Sequence, residues 1–443
     1  MKAIKTFLFI CILCCVGSLM AQTNSTNSWT LEQCIQYALE HNLTIKQAVL
    51  DVNNAEINLK QSKREYLPSV SAGASQSFSN GSVIDPITSD FVSRQVSSSS
   101  FDVNAGMTLF NGFKTQNQIK QNKLLTEQNK LNLEKVENNI RLAILEAYLQ
   151  VMYAEEGITI AQNSLNSYEK QLEKSKGLFE AKSITLKDLT EVQSQVANAQ
   201  YDLISTKKNK ALQLLTLKQL LELPAESSFS VVNETQSFSL NNIAIPDKNL
   251  VYQYALQTLP EIKSGDLNIQ VLEQTIKISK SSYYPSLSLS AGVGTGYTNS
   301  QTMIFKDQLT GNLNQRIGLS LSIPIYDRGT TKTSILRNRN QLEVAKIERT
   351  TLEKELYQKI ETAWLNGTAA LEQSQAALVS LNAARQVLEA AESNFQTGNL
   401  TATDLVIAQN AYVNAEIKFF QTKYMTILYI QILNYYQGKP IKF

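Results

Sequence analysis

Two periodicities take turns along the chain. After Pro68, Val70, Ala72, Ala74 and Phe78 alternate with Ser69, Ser71, Gly73, Ser75 and Ser77. Further on, Phe101, Val103, Ala105, Met107 and Leu109 alternate with Asp102, Asn104, Gly106 and Thr108. After Pro285, Leu287, Leu289, Ala291, Val293 and Tyr297 alternate with Ser and Gly, and Leu313, Ile317, Leu319, Leu321 and Ile323 alternate with Asn314, Arg316, Gly318, Ser320 and Ser322. Period two sustained in this way predicts four β-strands. Leu43 to Glu65 reads as a helix, which Pro68 ends because the residue before a proline disfavours the α region; Pro285 does the same in the second half. Between the strand regions run long helical stretches. Lys114 to Lys176 spans 63 residues without proline and with one glycine, Gly157, and Thr330 to Ser393 repeats the arrangement with Gly367. In the first, apolar positions from Leu133 to Leu172 step by three or four, a mean of about 3.55 that lies between a straight helix and a heptad coiled coil. At 1.5 Å per residue such a helix is about 95 Å long. Shorter helices return over about 186–222 and about 402–436, completing two hairpins.

The chain is duplicated. Residues 36–71 align without gaps on 253–288, with 15 of 36 positions identical, QYALEHNLTIK lying over QYALQTLPEIK. At an offset of 216, Glu146–Leu149 (EAYL) falls on Thr362–Leu365 (TAWL), Phe179 on Phe395, and Asp188-Leu189 on Asp404-Leu405. Units this long are not solenoid repeats. We therefore divide the chain into a signal peptide (1–21), a first repeat (22–222), an equatorial linker (223–247) and a second repeat (248–443), each repeat carrying a helix, two strands and a long helical hairpin.

The strands are about ten residues long, enough to cross a bilayer when tilted, and their polar faces of Ser, Gly, Asn and Thr suit a wet lumen. The segments joining them, Asn80 to Ser97 and Asn299 to Gly311, are polar and turn-rich. A sheet in lipid must close on itself, because each unpaired backbone group there costs several kcal/mol. Four strands cannot close alone. Two copies give eight strands and an interior just filled by side chains; three give twelve and a real opening; four copies also satisfy the arithmetic. The competing reading is a secreted or periplasmic structural coiled-coil protein, adhesin-like, whose sheets are soluble and need no detergent.

Composition narrows the chemistry. The chain has 443 residues, four cysteines and a single histidine. Residues 1–21, with Lys2 and Lys5 before an apolar stretch ending in Ala21, have the layout of a secretory signal peptide. Lipidation of Cys15 is the alternative to cleavage there, although Cys14 poorly matches the small residue such processing needs. Lys2 and Lys5 are two of 41 basic residues, so removal leaves 39 against 39 acidic and no signal for nucleic-acid binding. Cys11, Cys14 and Cys15 leave as well, and Cys34 alone forms neither an internal disulfide nor a thiolate metal site. His41, in ALEHN, reads as a helix-end residue. With no nucleophile elbow and no phosphate loop, nothing points to an enzyme or a cofactor; a carboxylate-pair glycosidase has no motif behind it. Tyr148 and its counterpart Trp364 read as packing residues, as do Trp29 and the C-terminal YYQGKPIKF.

WTLEQCIQYALEHN, the paired YLPSVS and YYPSLS, IPIYDRG (Ile323–Gly329) and FQTGNLTATDLVIAQ together resemble the TolC-type outer-membrane efflux channels, over essentially the whole mature chain. The resemblance implies an α+β membrane protein in which four transmembrane strands per chain complete a twelve-stranded barrel in a homotrimer, continued by coiled-coil helical hairpins into the periplasm. It implies a passive export duct in the cell outer membrane, working in tripartite efflux or type I secretion with a periplasmic adaptor and an inner-membrane transporter, and touching outer-membrane lipid. The adaptor would dock at the helix tips, here Phe179, Lys182, Ser183, Gly398, Asn399 and Leu400. Asp404 matches an aperture aspartate and Asp188 is its first-repeat counterpart; both also sit where carboxylates cap helices. The tyrosine and arginine of the closing link would fall at Phe395 and Leu400, and a second aperture aspartate at Ile407, so that lock is absent. Met107–Phe113 (MTLFNGF) likewise has Thr108 where its counterpart has Pro324, which should end the strand on its periplasmic side.

Overall fold

Each element begins and ends where the local chemistry of the chain changes. The computed structural model describes residues 27–84, 87–93, 95–224, 226–234, 244–397 and 399–441. The signal-peptide reading with its three cysteines, Gly398, and parts of the linker lie outside them. In chain order the elements are β1 (Asn27–Trp29), α1 (Leu31–His41), α2 (Leu43–Arg64), β2 (Ser69–Ser79), β3 (Ser82–Ile84), β4 (Phe91–Ser93), β5 (Val96–Asn111), α3 (Lys114–Glu180) and α4 (Leu186–Leu220). There follow β6 (Phe229–Val231), α5 (Lys248–Thr258), α6 (Pro260–Lys280), β7 (Ser286–Thr298), α7 (Phe305–Gly311), β8 (Asn314–Ser322), α8 (Thr330–Gln396) and α9 (Ala402–Tyr436). The bounds of α8 and α9 are those of α3 and α4 displaced by 216 residues at all four ends. The long helices have 67 residues each and exceed the sequence-derived runs at their C-terminal ends. Among the described residues no helix is long and apolar enough to cross a membrane.

The chain forms two compact units that cut across the repeats. One comprises Thr44–Val136 and Tyr252–Lys359, the other Met1–Leu43, Glu137–Val251 and Ile360–Phe443. The first holds an antiparallel four-stranded sheet in the order β2-β5-β7-β8. Its register sorts the side chains onto two faces. Val70 pairs with Ala105, Ala105 with Ala291 and Ala291 with Ile317 on one face. Ser71, Asn104, Gly292 and Arg316 form a row on the other. The apolar face is bare in the single chain: Ile317 is 79% and Leu319 67% exposed. Among the described residues β2 and β8 each pair on one side only, which leaves both outer edges open.

β5 starts at Val96, five residues before the sequence alternation becomes visible, because Ser97–Ser100 carry no hydropathy contrast. The segment after β7 is not merely turn-rich as expected: it contains α7, held down by Gln308. That side chain is buried, accepts from the Thr298 amide at 2.8 Å and donates to the carbonyls of Thr298 at 3.0 Å and Met303 at 2.8 Å. β8 ends at Ser322, two residues before Pro324, whose missing N–H cannot extend the ladder.

Both strand-to-helix junctions use the same turn. In the first, Gly112 and Phe113 both have φ of 65°; in the second, Arg328 has φ 56° and Gly329 φ 80°. The residue before each pair caps the long helix: Asn111 Oδ1 accepts from the Thr115 amide at 3.3 Å, and Asp327 Oδ2 from the Thr331 amide at 2.8 Å. The bonds to Thr331, then that to Gly329, hold the Asp327 carboxyl below the usual carboxylate range. Gly112 is obligatory, since a Cβ there would lie 2.5 Å from the Ser281 carbonyl oxygen.

In the second unit the core forms around the middle of α3. Ile144, Leu145, Tyr148, Val151 and Met152 pack with Leu31, Cys34 and Ala38 of α1, Leu217 of α4 and Ile427 of α9. The expected linker carries β6, which pairs in parallel with β1. Tyr148 is fully buried, and its hydroxyl donates to the Val232 carbonyl at 2.5 Å beside that of Trp29, tying this strand pair to α3. Burial first, then Glu234, pushes the Cys34 thiol up to about 12, so it is inert at neutral pH. Trp29 packs edge-on against Tyr37 and Phe229. Trp364, the counterpart of Tyr148, is only partly buried and lies under the Lys248 ammonium at 5.1 Å. His41 stacks on Tyr37 at 3.9 Å at the end of α1.

Candidate functional site

The candidate site is the far end of the two hairpins, where α3 turns into α4 and α8 into α9. α3 ends in a Schellman turn: the Lys182 amide donates to the Phe179 carbonyl at 2.9 Å and the Ser183 amide to the Leu178 carbonyl at 2.8 Å. Lys182 takes the left-handed position at φ 57°. In the second hairpin the Asn399 amide makes the corresponding bond to the Asn394 carbonyl at 2.9 Å, and the offset of 216 sets Gly398 opposite Lys182.

Each returning helix is capped by threonine. The Asp188 amide donates to Thr185 Oγ1 at 3.2 Å, while the Thr185 amide and hydroxyl both donate to Asp188 Oδ2, at 2.9 and 2.7 Å. The side-chain bond from Thr185, followed by the backbone one, lowers the Asp188 pKa. In the second hairpin the Asp404 amide donates to Thr401 Oγ1 at 3.2 Å and the hydroxyl returns to Asp404 Oδ2 at 2.6 Å. Among the described residues no hydrogen bond or ion pair joins Asp188 to Asp404. The structure thus gives both aspartates a capping role within their own turns. Asp404 and Ile407 are both exposed, one turn apart.

The proposed docking residues divide by exposure. Phe179, Lys182, Ser183 and Asn399 are exposed, whereas Leu400 is partly buried and packs against an apolar cluster of Val192, Ala391, Phe395, Ala402, Leu405 and Ala408. Phe395 is therefore core where its counterpart Phe179 is surface, and Lys174 lies 5.0 Å from the Phe395 ring centroid. The two positions that lack the closing link are both apolar and both belong to this cluster.

A polar seam that sequence reading did not single out runs beside it between α3 and α9. Ser167 meets Gln409 at 3.0 Å and Tyr168 donates to Asn410 at 3.1 Å. Burial raises the Tyr168 pKa. Gln171 Nε2 and Ser175 Oγ in the same stretch are buried with no hydrogen-bond partner. Spacing alone could have found this seam, since Ser167, Gln171 and Ser175 recur every four residues.

A profile of the family described as outer membrane efflux protein matches residues 34–222 and 251–427. The chain belongs to this family. It is 21% identical over 401 residues to the outer membrane efflux protein BepC of Brucella suis, covering 90% of this chain and 83% of the relative. It is 25% identical over 404 residues to the cation efflux system protein CusC of Escherichia coli O157:H7, covering 88% and 80%. In fold it is similar to the Campylobacter jejuni CmeC outer membrane channel, with a TM-score of 0.80 at 17% identity, covering 95% of this chain and 90% of that one. The protein is an outer-membrane efflux channel whose helical part lies on the periplasmic side. The family is one of transport proteins and not of enzymes, and the adhesin-like reading is not favoured.

Proposed function

We propose that three copies assemble into one channel, β8 of each copy pairing with β2 of the next to close a twelve-stranded barrel. The observation that carries this is the sheet itself, with two unpaired edges and one face of bare aliphatic side chains. Monomeric soluble proteins rarely leave so large an apolar patch in water, and lipid tolerates no open edge. In this arrangement the face of Val103, Ala291 and Ile317 meets hydrocarbon and the face of Ser71, Asn104 and Gly292 lines the water. The two repeats, 22–222 and 248–443, each give two strands and one hairpin, and 223–247 joins them.

The helical hairpins then continue the duct towards the inner membrane, where an adaptor engages Phe179, Lys182, Ser183, Gly398, Asn399 and Leu400 and a transporter supplies the energy. Asp188 and Asp404 stand at the periplasmic aperture. Closure rests on the apolar cluster around Phe395 and Leu400 and on the α3–α9 polar seam in place of a tyrosine–arginine lock. Detergent-extracted protein should have the mass of three chains, and planar bilayers containing it should show discrete conductance steps. Monomeric protein that stays soluble without detergent overturns the proposal.

A further inference from the structure

The four strands carry only two charged side chains, Asp102 on β5 and Arg316 on β8. Both lie on the polar face, one row apart. Asn104 stands between them. Its Oδ1 accepts from Arg316 Nη2 at 2.8 Å and its Nδ2 donates to Asp102 Oδ2 at 2.5 Å. The amide thus relays one charge to the other across three strands. Glycines make the floor on which they rest. A Cβ at Gly292 would lie 2.8 Å from Asn104 Oδ1 and 2.9 Å from Arg316 Nε, and one at Gly73 would lie 3.0 Å from Asp102 Oδ1. Glycine weakens a strand interior and is kept where another group approaches closely; here those groups are the acid, the amide and the guanidinium.

We infer that Asp102, Asn104 and Arg316 form a charge-compensated belt on the barrel wall, so that this stretch of the lumen adds little preference for the sign of the charge on what passes. The inference rests on the trimeric-barrel reading, which repeats the trio three times around one axis. Three carboxylates and three guanidiniums then face the same water at nearly the same height. Fixed wall charges reach about 10 Å into 0.1 M salt and only about 3 Å at 1 M, so the belt acts on permeating ions at low salt and fades at high salt. Rings of one sign are how pores select cations or anions. A paired ring cancels that preference, and removing either member exposes the other.

The test is the potassium-to-chloride permeability ratio of purified trimers in planar bilayers under a salt gradient centred on 0.1 M. Asp102→Asn, whose amide oxygen still accepts from Asn104, should lower the ratio by at least about twofold, and Arg316→Gln should raise it by as much. The double variant should return to the wild-type ratio, and Arg316→Lys should keep it. At 1 M salt the shifts should shrink. Wild-type ratios from trimeric, conducting single variants overturn the belt and leave the barrel standing. Failure of the wild-type chain to form trimers or to conduct overturns the barrel reading, and the belt with it. If one single variant does not assemble, the other decides alone by the direction of its shift.

Discussion

At the scale of single residues the duplication serves as an internal substitution experiment. Lys182 holds a left-handed φ that costs an L residue about 1–2 kcal/mol, and the second repeat has Gly398 at that position. Lys182→Gly should therefore raise stability by about 0.5 kcal/mol once glycine's greater unfolded-state entropy is subtracted, whereas Lys182→Val should lower it by at least about 1 kcal/mol; thermal melting of the detergent-solubilised protein distinguishes the two. Ser175 is fully buried with an unpaired hydroxyl, and its counterpart is Ala391, itself buried in the apolar cluster. Ser175→Ala should stabilise by about 1 kcal/mol, the scale of an unsatisfied buried polar group, and a lower melting temperature would show that the hydroxyl is needed. Asp188 follows the usual sign for a depressed carboxyl. Its contribution is complete above the unfolded carboxylate value of about 3.9 and disappears as pH falls through the lower folded value. The capping position of Asp188 is legible in the sequence, whereas the left-handed turn at Lys182 and the unpaired hydroxyl of Ser175 are not, because neither has a hydropathy signature.

At the scale of elements, the sequence was read most completely where one pattern persisted longest. The alternations located the four principal strands to within a residue or two at most of their ends, and the uninterrupted helical periodicity located both long helices. The short pieces escaped for a physical reason: β1 and β6 are three residues each, too brief for any period to declare itself. They exist because the buried Tyr148 hydroxyl and the core of α1 hold them. α7 was read as part of a loop because its fixing contact, Gln308 to Thr298, is a polar side chain reaching backbone. The junction turn carries no period either, although NG precedes α3 and DRG precedes α8. Asn111 and Asp327 are equivalent caps, and the left-handed pair after each admits a tight reversal from strand to helix. Gly112→Ala should cost more than about 2 kcal/mol, because the new methyl meets backbone and not a movable side chain. A variant that melts with the wild type would mean that the Ser281 segment gives way.

At the scale of the whole molecule, membership of the outer membrane efflux protein family was legible from the order and twofold occurrence of its motifs. The candidate aperture was legible only as two aspartates in equivalent positions. Sequence supplied two roles for them, and the structure draws the capping role in full. Charge and cap can be separated at Asp404, since Asp404→Asn retains an oxygen for the Thr401 hydroxyl and leaves the backbone bond intact. If Asp404 lines the aperture of the proposed trimer, its three copies would ring the axis and attract divalent cations. Asp404→Asn should weaken block of conductance by divalent cations in lipid bilayers, with little change in melting temperature. Unchanged block removes Asp404 from the constriction and leaves it a helix cap.

The open edges of β2 and β8 also have a genetic reading. A subunit whose edge strand cannot be extended still offers its sound edge to a neighbour, so it enters the ring and spoils it. If the proposed trimer forms, making such a chain in equal amount with the wild type leaves, by random assortment into threes, about one assembly in eight wholly intact. Proline placed mid-edge in β8 should therefore behave as a dominant allele, and channel conductance in membranes from co-expressing cells should collapse even while half of the protein made is normal.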